Sequence, residues 1–402
     1  MGKPALEVAY IFRLHGPAYR EVHGGVMSSM QRRVMRAIEI CRTAVLGGHV
    51  EECGRCGHRR IRYNSCGNRH CNKCQCLARA KWLEKHRAQL LPVPYFHVVF
   101  TVPGPIASLT LQNKRVGYGI LFQAAARALR RIAADPRHLG ARIGFLAVLH
   151  SWGQNLQHHP HVHCVVPGGG LSLDGRRWIR CRPNFFLPVR VLSRLFRAVF
   201  LHCLQQAHDA GKLKFRGSLE RLGAPGAFAA LMKTCRRMEW VVYAKPPFGG
   251  PEQMLDYLGR YTHRVAISNE RLIRLQDGRV TFRWKDYKQP NKQKLMTLEA
   301  GEFIRRYLMH VLPLGFVRIR HFGWLANTHR EQKLALCRKL LGVEPPEKQQ
   351  EASAENADTS SAGLTGESLT ICPACRQGHM VVIEIIYAMR APYQPAPAID
   401  SS

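Results

Sequence analysis

HSWGQNLQHHPHVHCVV (residues 150–166) ends in a strict alternation. In an extended chain His161 and His163 fall on one side, and Val162, Cys164 and Val166 on the other. Such a strand buries its apolar set in a core and shows its histidines on the opposite face. Two imidazoles placed this way have Cα atoms about 7 Å apart and can share a divalent ion. A polar strand face without a ligand role would read the same, so a metal centre needs a third donor. His150, Gln154 and His158 are the candidates, and Gln154 is favoured. Gly168, Gly169 and Gly170 then close the strand as a turn, not as a phosphate loop.

The surroundings suit that strand. Residues 95–102 and 143–149 are apolar and β-branched enough to be strands, and 118–133 has a helical apolar period. Residues 271–275 and 279–285 are joined by Gln276-Asp277-Gly278, a hairpin signal. In the second hairpin strand Val280, Phe282 and Trp284 alternate with Thr281, Arg283 and Lys285, an apolar face backed by a basic one. Helices are expected over 188–208, 250–262 and 298–312. Helices mixed with antiparallel strands define an α+β domain over residues 92–341.

The helix at 251–264 reads PEQMLDYLGRYTHR, with proline at its start. Tyr257 and Tyr261 are four residues apart, so both phenols lie on one helix face. A tyrosine can attack a phosphodiester and hold the DNA end covalently. The free phenol has a pKa of about 10, so it needs a base, a cation or strict positioning. Arg260, His263 and Arg264 are near in sequence. Taken alone, the tyrosine pair suits core packing better than catalysis.

Residues 1–91 form a separate helical and zinc-binding region. A helix over 26–46 meets Gly47-Gly48, and a second helix over 76–91 ends at Pro92. Between them lie Cys53-Gly-Arg-Cys56 and Cys71-Asn-Lys-Cys74. Two such pairs place four thiolates for one tetrahedral zinc, in a zinc-ribbon-like module that folds around its metal. Cys53, Cys56, Cys71 and Cys74 are the expected ligands. Cys66, His70 and Cys76 crowd the same segment, and they can replace a ligand or complete a second site. Arg55, Arg59, Arg60, Arg62, Arg69 and Lys73 make the module a candidate DNA contact.

The 402-residue chain carries 60 Lys and Arg against 27 Asp and Glu, a net charge of +33. Such an excess attracts polyanions, and nucleic acid is favoured over a membrane surface because no apolar anchor accompanies the charge. No transmembrane segment or signal peptide is legible, so a soluble cytoplasmic protein is expected. Its 14 cysteines therefore call for metal rather than disulfides. Residues 342–402 read as a tail, with a disordered linker at 345–369 and a short apolar stretch at 379–387. Cys372-Pro-Ala-Cys375 offers only two thiols, and the sequence supplies no convincing partner pair.

A His-hydrophobe-His strand followed by a tyrosine helix resembles the plan of the HUH endonucleases. From about residue 27 to 342 the chain resembles the two-tyrosine rolling-circle transposases of bacterial insertion sequences, the insertion-sequence ninety-one family. The resemblance rests on YNSCGNRHC (63–71), LPVPYFHVVFT (91–101), HPHVHC (159–164) with PGGG (167–170), and YLGRYTHRVAIS (257–268). One departure is Asn72, where the family pattern has proline. The resemblance implies an antiparallel-sheet HUH nuclease domain in a bacterial, nucleoid-associated protein. It implies that His161 and His163 hold a catalytic Mg²⁺ or Mn²⁺ and that Tyr257 and Tyr261 are nucleophiles. It further implies single-stranded DNA cut at the element's ends, with the 5′ phosphate kept on tyrosine and a 3′-OH released. Arg260, Arg264, Arg283 and Lys285 are the expected DNA contacts. A rolling-circle replication initiator would share this chemistry. A zinc-dependent DNA-binding regulator would need the zinc and the charge but not the histidines and tyrosines.

Overall fold

The computed structural model describes residues 6–245, 250–262, 266–286, 293–344 and 370–389. It divides into two compact units: Met1–Leu6 with Ala78–Gln349, and Glu7–Leu77 with Gln350–Ser402. The expected linker at 345–369 lies outside the described residues. Among the described residues no helix is long and apolar enough to cross a membrane.

The unit that begins at Glu7 opens with helices α1 (Val8–His23) and α2 (Ser29–Ile40). Val8, Ile11 and Phe12 of α1 and Val34, Met35 and Ile38 of α2 are buried. A reciprocal cap starts α2: the Gln31 amide donates to Ser28 Oγ at 3.2 Å, and the Ser28 amide donates to Gln31 Oε1 at 2.9 Å. The helix is shorter than the expected 26–46. Cys41 leaves it with φ −62° and ψ 124°. Strands β1 (Gly48–Cys53) and β2 (Arg59–Tyr63) form an antiparallel hairpin, and helix α3 (Asn72–Arg87) follows.

The larger unit holds β3 (Tyr95–Thr101), α4 (Gly104–Gln112), α5 (Lys114–Ala134), β4 (Ala141–Arg142), β5 (Phe145–Trp152), β6 (His158–Pro167), β7 (Gly169–Ser172) and β8 (Trp178–Arg180). It continues with α6 (Val189–Asp209), α7 (Ala227–Arg237), β9 (Val242–Lys245), α8 (Pro251–Thr262), β10 (Leu272–Gln276), β11 (Arg279–Lys285), β12 (Gln293–Glu299), α9 (Ala300–Met309), β13 (Ile319–Phe322) and α10 (Arg330–Leu341). Five antiparallel strands in the order β13-β5-β6-β3-β9 make its central sheet. The α+β expectation holds.

Alternation gives this sheet two different faces. Val98, Phe100, Ala147, Leu149, Val162, Cys164 and Val166 share the main core with Phe122 and Leu129 of α5 and Phe196 and Phe200 of α6. On the other face, Tyr95, Leu146, Val148 and Val165 are covered by Met254 of α8 and Leu334 and Cys337 of α10. The rest of that face carries the histidines.

Three local expectations change. Residues 168–170 are not a closing turn: they carry the chain from β6 into β7 of a small sheet. Glycine is needed at 170 because a Cβ there would lie 2.5 Å from the Arg142 carbonyl oxygen. The helix expected over 298–312 begins only at Ala300, after β12 has paired with β11. The supposed polar face of β11 is split: Thr281 is 4% exposed and bonded to Thr297 Oγ1 at 2.9 Å, whereas Arg283 and Lys285 are exposed.

The last described segment holds β14 (Met380–Ile386), which pairs antiparallel with β1 to give the order β14-β1-β2. The expected tail therefore contributes a strand to the Glu7–Leu77 unit.

The core account predicts that Phe100→Ala, which removes a fully buried ring 5.0 Å from that of Phe196 and tilted 58° to it, lowers the unfolding free energy by about 3–5 kcal/mol. Urea denaturation followed by far-UV circular dichroism measures it.

Candidate functional site

Strand register builds the site. His150 of β5 lies opposite His161 of β6, and Val148 lies opposite His163. On the other side of β6, Val99 of β3 faces His163 and Thr101 faces His161. Directly paired residues share a face, so His150, His161 and His163 project together, with His97 two positions before Val99. The ring centroids of His150 and His163 are 4.3 Å apart, those of His161 and His163 4.8 Å, and those of His150 and His161 5.4 Å. One ring nitrogen from each of the three comes within 4.8 Å of the others.

Hydrogen bonds orient two of these rings. His161 Nδ1 donates to the His159 carbonyl at 2.7 Å, which leaves the lone pair on Nε2. His163 Nδ1 lies 2.7 Å from His97 Nε2, and the two rings are parallel within 4°. If Nε2 of His163 presents a lone pair, its Nδ1–H donates to His97. That is how metal-bound histidines are usually held. Sequence reading gave His97 no role, although its parity within β3 puts it on this face.

Burial keeps the imidazoles neutral. It pulls His161 down to about 4, with His159 adding repulsion. It pulls His97 down to about 3, helped by Lys245 and His161. His163 is held well below the ordinary value by burial and then by His150, His161, His97 and Lys245. Neutral rings keep the lone pairs that a cation requires.

The site opens into a cavity of about 440 Å³ that is also lined by Trp152, Gln154, Tyr243, Lys245, Tyr257 and Arg271. The Tyr257 ring meets His97 edge-on at 5.2 Å, and Lys245 Nζ lies 6.0 Å from its centroid. The backbone of Tyr261 follows one turn later in α8. The side chains of Arg260 and Tyr261, and all of Arg264, lie outside the described residues.

The expected third donor changes. Gln154 lines the cavity, but it lies in the connection between β5 and β6, beyond the irregularity that follows His150. Its carbonyl accepts from Arg271 Nη2 at 2.5 Å. His158 is engaged with the Tyr118 hydroxyl at 2.8 Å. His150 is the donor that register brings beside both His161 and His163.

The cysteines form two groups of four. Cys41, Cys66, Cys71 and Cys74 are one, and Cys53, Cys56, Cys372 and Cys375 the other. The expected quartet of Cys53, Cys56, Cys71 and Cys74 is thus divided between them. In the first group Cys74 Sγ is 3.6 Å from Cys41 Sγ and 3.5 Å from Cys66 Sγ. Hydrogen bonds from Cys66 and Cys71 draw Cys41 down to about 7. His70 bonds Asn68 and belongs to neither group, and Cys76 is exposed beside the Asn72 carbonyl. Cys41 was missed because it lies outside the paired Cys-x-x-Cys pattern. The basic residues nearby are partly spoken for: Arg60 and Arg62 pair with Glu51, Arg59 with Glu52, and Lys73 with Glu7 at 2.6 Å.

Residues 144–333 match a family model described as "Putative transposase", and residues 11–102 match one described as "Transposase zinc-binding domain". "Putative transposase y4qJ" of Sinorhizobium fredii is 60% identical over 98% of each chain. "Transposase for insertion sequence element IS801" of Pseudomonas savastanoi pv. phaseolicola is 28% identical over 76% of this chain and 73% of that one. The conjugative relaxase TrwC, solved with oriT DNA in a metal-free state, aligns over 62% of this chain and 72% of its own at 14% identity and a TM-score of 0.22. A superposition that loose carries no argument.

The depressed imidazoles set a pH window. Proton competition begins near about 4 rather than at the ordinary value of about 6.5. Calorimetric titration with Mn²⁺ should therefore give nearly constant affinity from about pH 8 to pH 6 and a steep loss only toward pH 4. The unfolded chain takes up protons in that window while the folded chain does not. Stability should accordingly fall as pH drops from about 6.5 toward 4.

Proposed function

The chain belongs to the IS91 family of transposases, and on that premise we propose that it cuts and rejoins single-stranded DNA at insertion-sequence ends through a phosphotyrosine intermediate. One observation carries the reading: the Tyr257 ring and the three clustered imidazoles of His150, His161 and His163 line one cavity.

The donor set fits a divalent metal. It consists of three imidazole nitrogens, and no carboxylate joins the cluster among the described residues. Imidazole donors suit transition ions better than Mg²⁺, which prefers oxygen, so Mn²⁺ fits the set better. His150 replaces Gln154 as the proposed third ligand. When bound, such an ion polarises the scissile phosphate and offsets charge in the transition state.

The protein's own groups do the rest. Tyr257 Oη attacks phosphorus, an O–P bond forms to tyrosine, and the bond to the 3′ oxygen breaks. The DNA 5′ phosphate stays on the enzyme, and the 3′ oxygen leaves and takes up a proton. Lys245 beside the phenol ring favours the phenolate that must form. His97 fixes the tautomer and the orientation of His163. Tyr261, one turn along α8, is the second nucleophile or the acceptor in the resolving step. Arg283 and Lys285, with Arg260 and Arg264, are proposed to hold the strand's phosphates. The structural zinc of the matched domain is proposed to sit on Cys41, Cys66, Cys71 and Cys74. Their sulfur spacing of 3.5–3.6 Å is near the roughly 3.8 Å that a tetrahedron with Zn–S bonds of about 2.3 Å requires.

A nicking assay on end-labelled single-stranded DNA tests the reading. EDTA, His161→Ala and His150→Ala should each abolish cleavage, whereas Gln154→Ala should leave most of it. His97→Ala should cost roughly 10–100-fold, as loss of an orienting partner does. Mn²⁺ should support cleavage at lower concentration than Mg²⁺. Undiminished cleavage by a Tyr257→Phe, Tyr261→Phe double variant would refute the nucleophile assignment.

A further inference from the structure

Cys53, Cys56, Cys372 and Cys375 bring together thiols more than three hundred residues apart in sequence. We propose that these four hold a second zinc ion, distinct from the one on Cys41, Cys66, Cys71 and Cys74, and that this ion anchors the C-terminal segment to the N-terminal hairpin. The proposal stands apart from the nuclease reading, because the matched zinc-binding model ends at residue 102.

Geometry points to metal and not to disulfides. Cys53 Sγ is 3.8 Å from Cys375 Sγ, and Cys56 Sγ is 3.6 Å from Cys372 Sγ. Disulfide sulfurs sit at about 2.05 Å. A tetrahedral zinc thiolate centre needs roughly 3.8 Å.

The two Cys-x-x-Cys segments adopt the same knuckle. The Arg55 amide donates to Cys53 Sγ at 3.4 Å, and the Ala374 amide donates to Cys372 Sγ at 3.4 Å. The Gly57 amide reaches the Cys53 carbonyl at 3.0 Å, and the Arg376 amide reaches the Cys372 carbonyl at 2.9 Å. Each knuckle turns through a left-handed residue just after its second cysteine, Gly57 at φ 69° and Arg376 at φ 56°. The Gly378 amide donates to Cys375 Sγ at 3.3 Å. Gly378 lets the knuckles meet, since a Cβ there would stand 2.5 Å from Cys53 Sγ.

Burial supplies the second argument. The buried apolar cluster here consists of Cys53, Cys372 and Met380, with Cys375 partly buried against it. Five of the seven β14 residues are exposed. A core that small cannot offset the entropy of ordering the segment, and small lobes of this kind are held by a metal.

The test uses the full chain. Zinc analysis of dialysed protein should give two ions per chain, falling to one in Cys372→Ser, Cys375→Ser and to one in Cys66→Ser, Cys74→Ser. Thiol alkylation of the wild-type protein is read by mass spectrometry and does not depend on a variant folding. Cys56 is exposed and Cys375 half-buried, so their protection reports metal and not burial. Both should resist alkylation with zinc bound and react together once a chelator is added. A single zinc in the wild type, two zincs retained in the Cys372→Ser, Cys375→Ser chain, or equal alkylation rates at Cys56 and Cys375 before and after chelation would overturn the proposal.

Discussion

Everything at the site depends on the register of one antiparallel ladder, β5 against β6 against β3. Because a strand alternates with period two, the register that pairs His150 with His161 also sends Val162, Cys164 and Val166 into the core. A slip of one residue would bury imidazoles among aromatic rings and expose the valines, so the core itself enforces the arrangement of donors. The same face is apolar at the Tyr95, Leu146 and Val165 end, where α8 is seated by Met254. The helix that carries Tyr257 is thus fixed by packing with that ring 5.2 Å from His97.

Burial has a cost and a use here. Removing the imidazoles of His97, His161 and His163 from water disfavours their charged forms, which costs stability in acid and secures lone pairs at neutral pH. Lys245 adds to the same effect and lies against the ring of Tyr257. One cation therefore discourages protonation of the histidines and stands 6.0 Å from the ring of the proposed nucleophile. The net charge of +33 acts over a longer range, drawing phosphates toward a site whose own donors are neutral.

Local pattern was legible in the sequence, and long-range pairing was not. The alternation of His161 and His163, the helix carrying both tyrosines, and the hairpin around Asp277-Gly278 follow from spacing a few residues wide. His150 could not be chosen over Gln154 without the β5–β6 register, which no single segment encodes. Local spacing supplies no partners for Cys372 and Cys375, because Cys53 and Cys56 lie at the other end of the chain. Helical periodicity places Cys41 inside a longer helix, yet the helix stops there and the thiol joins Cys66, Cys71 and Cys74. Thr281 read as part of a polar face because alternation cannot tell a solvated hydroxyl from one bonded across the ladder to Thr297.

The central claim is covalent: a tyrosine of α8 takes the DNA end. Mass spectrometry of the tryptic peptides after incubation with single-stranded substrate and Mn²⁺ tests it most directly. The account predicts a nucleotide adduct on the peptide containing Tyr257 or on that containing Tyr261, joined through phosphate to the 5′ side of the cut. Nicked DNA accompanied by unmodified tyrosine peptides, with the cut ends free in solution, would contradict it.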